Sequence, residues 1–113
     1  MLWKRTYADS PGPEVPHVED LRVPVSNPTG EVVARMYSPE SNGPVPVHFN
    51  MHGGGWVLGG LASEQAWCRH VCNSIGIKVV DIDYRLAPEY KFPVAIHDCW
   101  TVVKYVSSLT QRW

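Results

Sequence analysis

Residues 52–56 read His52-Gly53-Gly54-Gly55-Trp56, between an apolar run, Val45-Pro46-Val47-His48-Phe49-Asn50, and a stretch with helical spacing from Ser63 to Ile75. This junction decides the fold. The run before it predicts a strand, and the stretch after it a helix whose apolar face is Trp67, Cys68, Val71, Cys72 and Ile75. Ser63 fits an N-cap and Gly76 a C-terminal stop. Three successive glycines carry no Cβ atoms, so the backbone between the two elements can bend tightly and turn its N–H groups outward.

Downstream, Ile77-Lys78-Val79-Val80-Asp81-Ile82-Asp83 predicts a strand that is mostly apolar on both faces, as buried parallel strands are. The segment Tyr84–Pro93 reads as irregular. Pro93 suits a first helical turn, and Ala95, Cys99, Val102, Val103, Val106 and Leu109 form the face of a last helix. Upstream, Leu21, Val23 and Val25 alternate with Arg22, Pro24 and Ser26, a half-buried strand that Pro24 places at a sheet edge. Asn27-Pro28-Thr29-Gly30 is a turn, and Glu31–Tyr37 a second strand, making an antiparallel hairpin. Eight of the ten prolines lie in residues 11–46, so residues 1–17 are expected to be extended or loose. A hairpin followed by a βαβα run implies an α/β class, with part of its sheet parallel and all 113 residues in one domain.

Composition excludes several function classes. Ten Lys+Arg against eleven Asp+Glu leave a net charge of −1, which argues against a nucleic-acid binder working through bulk positive charge. No run approaches the roughly 18 apolar residues of a membrane span. The first residues hold two cations with no apolar stretch behind them, and a cytoplasmic location is the expectation. Cys68, His70 and Cys72 lie on one helix and His97 and Cys99 on another. Positions 68 and 72 share a face that 70 does not, so these residues are expected to be small buried core residues, with no metal and no cofactor. His48 and Asp83 end their strands without an assigned chemical role.

Outward N–H groups on a strand-to-helix loop can cradle a phosphate or stabilise the oxyanion of an acyl-transfer intermediate. The dinucleotide fingerprint needs glycine where Leu58 stands, and a phosphate-binding P-loop needs a lysine that Gly59-Gly60-Leu61 does not supply. The oxyanion alternative matches the HGGG loop of lipases and esterases. With His52–Trp56 in series with Asp83-Tyr84-Arg85-Leu86-Ala87-Pro88-Glu89 and Phe92-Pro93-Val94-Ala95-Ile96-His97-Asp98, the chain resembles the hormone-sensitive-lipase-like branch of the α/β-hydrolase superfamily over roughly residues 20–106. The resemblance implies the first half of an α/β-hydrolase sheet, a small-molecule ester substrate, and an oxyanion hole from Gly54 and Gly55 with Gly53 allowing the turn. His52 would brace the loop and Trp56 would wall a substrate pocket. The role expected for Arg85 is structural, paired with Asp98 or Glu89.

None of the eight serines, at 10, 26, 38, 41, 63, 74, 107 and 108, has glycine at both −2 and +2. The superfamily's serine elbow, acid and histidine follow later in the chain, so the expectation is an N-terminal portion cut before the nucleophile. Such a portion holds the oxyanion loop without the triad, and loss of the nucleophile costs a serine hydrolase about 10⁶ in turnover. The alternative is a non-catalytic relic or partner-binding module that self-associates through an exposed strand Val45–Asn50.

Overall fold

In the computed structural model, which describes residues 11–109, four strands and two helices follow one another along the chain. Strand β1 (His17–Val25) and strand β2 (Gly30–Ser38) form the antiparallel hairpin, with Val23 opposite Val32 and Pro24 opposite Glu31. Strand β3 (Val47–Met51) enters the glycine loop. Helix α1 (Gln65–Val71) continues into one wide π-helical turn, Cys72–Gly76, before strand β4 (Lys78–Asp83) and helix α2 (Val94–Leu109). The sheet order is β1-β2-β4-β3, with β4 antiparallel to β2 and parallel to β3. Pro24 does lie on an edge strand, where its missing N–H breaks no ladder.

Period-two alternation divides the side chains between two layers. Val32, Ala34, Met36, Val80 and Ile82 pack with Ala95, Cys99, Val102 and Val106 of α2. Tyr37 and Val79 face the other way and pack with Cys68 and Cys72. A sheet with one helix on each face leaves β4 buried on both sides, which is why its residues 79–82 are all buried.

The structure corrects several local expectations. The first strand starts at His17 rather than Leu21, and residues 13–15 before it dock on the helix that follows the glycine loop. Arg69 and Asn73 donate to the Pro13 and Glu14 carbonyls at 3.3 and 2.8 Å, and Val15 packs against the second core. Residues 1–10 of the stretch expected to be loose lie outside the described residues. Strand β3 is Val47–Met51, two residues later at its start than expected; Pro46 joins β4 only as an acceptor, its carbonyl taking the Lys78 N–H at 3.0 Å. Ser63 is not the cap of α1. Its hydroxyl accepts the Gly60 N–H at 2.8 Å, closing the turn before the helix, and Glu64 stands at the N-cap. Trp67 and Ile75, expected on the inward face, are 46% and 67% exposed; Ile75 lies in the wide turn, while Trp67 lies in the regular helix before it and packs against His48.

Candidate functional site

The glycine loop leaves β3 with three consecutive peptide planes pinned by named groups. The His52 carbonyl accepts the Tyr84 hydroxyl at 2.6 Å, while the N–H on the same plane, that of Gly53, donates to Glu64 Oε2 at 2.8 Å. The Gly53 carbonyl lies 2.8 Å from His52 Nδ1, which therefore carries the ring proton. A trans peptide points its N–H opposite to its C=O, so the Gly54 N–H faces away from the imidazole. The Gly54 carbonyl accepts Val57 and Leu58 N–H at 3.2 and 3.0 Å, which turns the Gly55 N–H outward by the same logic. Among the described residues neither the Gly54 nor the Gly55 N–H donates within the chain. Two adjacent outward N–H groups on a rigid backbone can receive an oxyanion without reorganising.

Side chains make the loop rigid. His52 is buried and stacks on Tyr84, with ring centroids 4.3 Å apart at 9°. Trp56, at φ 68°, tilts against the same Tyr84 ring at 5.4 Å, and its carbonyl takes the Ala87 N–H at 2.9 Å. The Tyr84–Glu89 segment is thus stitched under the loop at two points. Burial pushes the Tyr84 phenol up to about 12, so it stays a donor across the physiological range. Trp56 lines an apolar recess of about 90 Å³ with Ala87, Tyr90, Phe92 and Ile96.

The glycines differ in what they tolerate. A Cβ at Gly54, with φ 134°, runs into the Leu58 carbonyl, whereas at Gly55, with φ 63°, it meets nothing within 4 Å. Gly54→Ala should therefore lower stability by about 1–3 kcal/mol through overpacking, on top of the backbone strain. Gly55→Ala should cost only the left-handed backbone penalty, about 1–2 kcal/mol. Urea unfolding of both variants checks the order; equal losses would contradict the geometry. Gly59, φ 94°, matters although it lies outside the triple: a Cβ there would sit 2.6 Å from His52 Nδ1.

Arg85 lies on Asp98, its Nε and Nη2 donating at 2.9 and 2.8 Å and its backbone N–H at 3.0 Å to the same carboxylate. Its third nitrogen reaches the Pro28 carbonyl at 2.9 Å, and the guanidinium sits 4.9 Å over the Tyr90 ring. The ion pair shown for Arg85 is with Asp98, and Glu89 is exposed. Cys68, Cys72 and Cys99 are buried as expected, but His70 and His97, expected in the core, are exposed on the outer sides of their helices; no group of three or more potential ligands converges among the described residues. His48 stands against Trp67, centroids 5.5 Å apart.

Sequence reasoning missed Tyr84, Glu64, Asn50 and Asp81. Asn50 Nδ2 donates to Asp81 Oδ1 at 2.9 Å and to Glu64 Oε1 at 3.2 Å. Asp81 is fully buried, and burial, followed in order by a lowering Asn50 hydrogen bond and the raising charges of Glu64 and Asp83, pushes its carboxyl up to about 7. The one available signal was an acid inside an otherwise apolar buried strand.

A strand, a pinned HGGG turn, a helix and a return strand form a half-sheet of the α/β-hydrolase kind. Residues 48–113, more than half of the chain, match the alpha/beta hydrolase fold family, and the chain belongs to it. It is 43% identical over 90 residues to the carboxylic ester hydrolase LipN of Mycobacterium tuberculosis, covering 80% of this chain and 24% of that one. It is 45% identical over 75 residues to an arylesterase of Saccharolobus solfataricus, covering 65% and 24%. The solved esterase of Pyrobaculum calidifontis superposes with a TM-score of 0.82 at 37% identity, over 88% of this chain and 32% of that one. The chain thus spans about a quarter of these curated relatives and a third of the solved structure, aligning with the N-terminal third of α/β hydrolases.

Proposed function

We propose that these residues form the oxyanion-loop portion of a carboxylic-ester hydrolase, with the Gly54 and Gly55 N–H groups receiving the tetrahedral oxyanion and Trp56 bordering the substrate. The observation that carries this is the pinning of three successive peptide planes, which leaves those two donors outward and unspent. One such donor contributes about 2.7–4 kcal/mol of transition-state stabilisation in acyl transfer. In this reading Gly53 allows the turn, His52 braces it, and Arg85 with Asp98 fixes the segment beneath it. The sequence holds no G-x-S-x-G elbow, so the nucleophile must come from outside these 113 residues, and by themselves they do not hydrolyse esters.

The test grafts residues 20–106 in place of the matching part of the Saccharolobus solfataricus arylesterase. The chimera should hydrolyse 4-nitrophenyl acetate and label with a fluorophosphonate serine probe, and the 113-residue chain should do neither. A folded chimera without turnover, or stoichiometric labelling of the chain itself, would overturn the proposal.

A second reading is favoured by the position of β3 at the sheet edge, where Val47 and Phe49 are half-buried and Met51 is 47% exposed. An unpaired apolar edge is a template for strand addition, and self-association through residues 45–50 would make the chain a binding module. Sedimentation of the chain discriminates: a concentration-dependent dimer abolished by Phe49→Lys supports the module, and a monomer at all concentrations removes it.

A further inference from the structure

We infer that Glu64 is the positioning residue of the glycine loop: its carboxylate clamps the Gly53 N–H, and Asn50, itself anchored on Asp81, holds that carboxylate in place. The catalytic consequence rests on the ester-hydrolase reading above; the clamp does not.

The clamp is the end of a polar row that the strand register lays straight across the sheet. Asp20 is opposite Arg35, Arg35 opposite Asp81, and Asp81 opposite Asn50. All four project to the α1 side, because residues 80 and 82 project to the other. Asp20 captures Arg35 with two bonds of 2.8 and 3.0 Å, drawing the cation toward the hairpin edge. Asp81 is left with Asn50 as its hydrogen-bonded partner, and its Oδ2 has none among the described residues. The remaining Asn50 amide hydrogen reaches Glu64 Oε1, and Glu64 Oε2 reaches the loop. Each carboxylate oxygen of Glu64 therefore has its own donor, from β3 on one side and from the loop on the other.

The consequence is geometric. Tyr84 pulls the His52–Gly53 peptide by its carbonyl, and Glu64 pulls it from the opposite side by its N–H, so that plane cannot rotate. The next two planes carry the candidate oxyanion donors and inherit its orientation. A cavity of about 290 Å³ lined by Gly53, Gly54, Leu58, Ser63 and Glu64 lies behind the loop. Without the clamp, the glycines, which have no side chains to resist, are free to relax into that space. Asp81, costly to bury, supplies the acceptor that orients Asn50.

The experiment is amide hydrogen exchange and proton-shift measurement at Gly53 by NMR on the 113-residue chain. A hydrogen bond to a charged group is worth about 1.5–3 kcal/mol, so Glu64→Ala should speed Gly53 exchange roughly 10- to 150-fold and move its amide proton upfield. Protection of the Val79–Ile82 amides should not change, which separates the clamp from global unfolding. Glu64→Gln, whose amide oxygen can still accept from Gly53, should recover part of the protection. Asn50→Ala should weaken it without touching Gly53. Unchanged Gly53 exchange and shift in Glu64→Ala overturn the clamp whatever the chimera does. A chimera that hydrolyses no ester while Gly53 protection still follows Glu64 leaves the clamp standing and removes the hydrolase reading instead.

Discussion

Replacing Asp98 with alanine is expected to cost the fold about 3–5 kcal/mol, because it strands the Arg85 charge in a site built to neutralise it. The Asp98 carboxylate is wholly inaccessible and accepts three N–H groups, all from Arg85. The Arg85 side chain is only 10% exposed, so water cannot replace the lost partner. The same guanidinium reaches Pro28 in the β1–β2 turn, so losing its anchor loosens the hairpin, the Tyr84–Glu89 segment and α2 together. A domain of this size is stable by about 5–15 kcal/mol in total, so at the lower end the variant would keep only about 0–2 kcal/mol. Urea unfolding measures the loss, with Glu31→Ala as a control. That residue makes an exposed pair with Arg22 at 3.8 Å, and exposed pairs are worth about 0–1 kcal/mol. Arg85→Met with Asp98→Leu should recover much of the stability, since removing both charges leaves neither unpaired. A single Asp98→Ala variant as stable as the parent would show that the pair contributes nothing.

The second large effect concerns Asp81 and runs opposite to the usual acid pattern. Its folded carboxyl is pushed up to about 7 from an ordinary 3.8, chiefly by burial. The folded state therefore holds a proton that the unfolded state releases between these values. The contribution of this group to stability is greatest below pH 3.8, falls as pH rises toward about 7, and is flat above it. The full span of that shift corresponds to about 4 kcal/mol. Arg35 and the Asn50 amide oppose the shift, Glu64 and Asp83 reinforce it, and Tyr37 and Cys68 lie close enough for the Asp81 charge to raise them in turn. Asp81→Asn keeps the shape and an acceptor for Asn50 but cannot ionise. It should match the parent at about pH 3, exceed it by up to about 4 kcal/mol at pH 8, and flatten the slope between. Urea midpoints at the two pH values decide it; parallel pH profiles would place the titration elsewhere.

These two buried acids illustrate what a linear reading can reach. Asp98 was legible as a partner for Arg85 because both sit in short blocks with few other charges, yet Glu89 was an equal candidate on paper. The turn of the chain after β4 selects Asp98 by setting it on the inner face of α2. Asp81 was legible only as an oddity within an apolar strand. Its partners, Asn50 and Arg35, are chosen by register, and register depends on which strands become neighbours. Glu64 was passed over because local rules favour Ser63 at the start of a helix. The Ser63 hydroxyl serves the Gly60 turn instead, and the next residue turns its carboxylate back onto the loop.

The sequence by itself determined the order of strands and helices, the α/β class and the location of the glycine turn. Those features depend on side-chain periodicity and on where a Cβ is forbidden, which are properties of neighbouring residues. Tertiary structure decided which N–H groups remain outward and what holds them there. The pins at His52, Tyr84, Ala87 and Glu64 come from separate elements, and only the packed sheet brings them within hydrogen-bonding distance of one loop. Hydrogen bonds act over about 3 Å, so the sequence can supply the participants while the fold assigns the pairs.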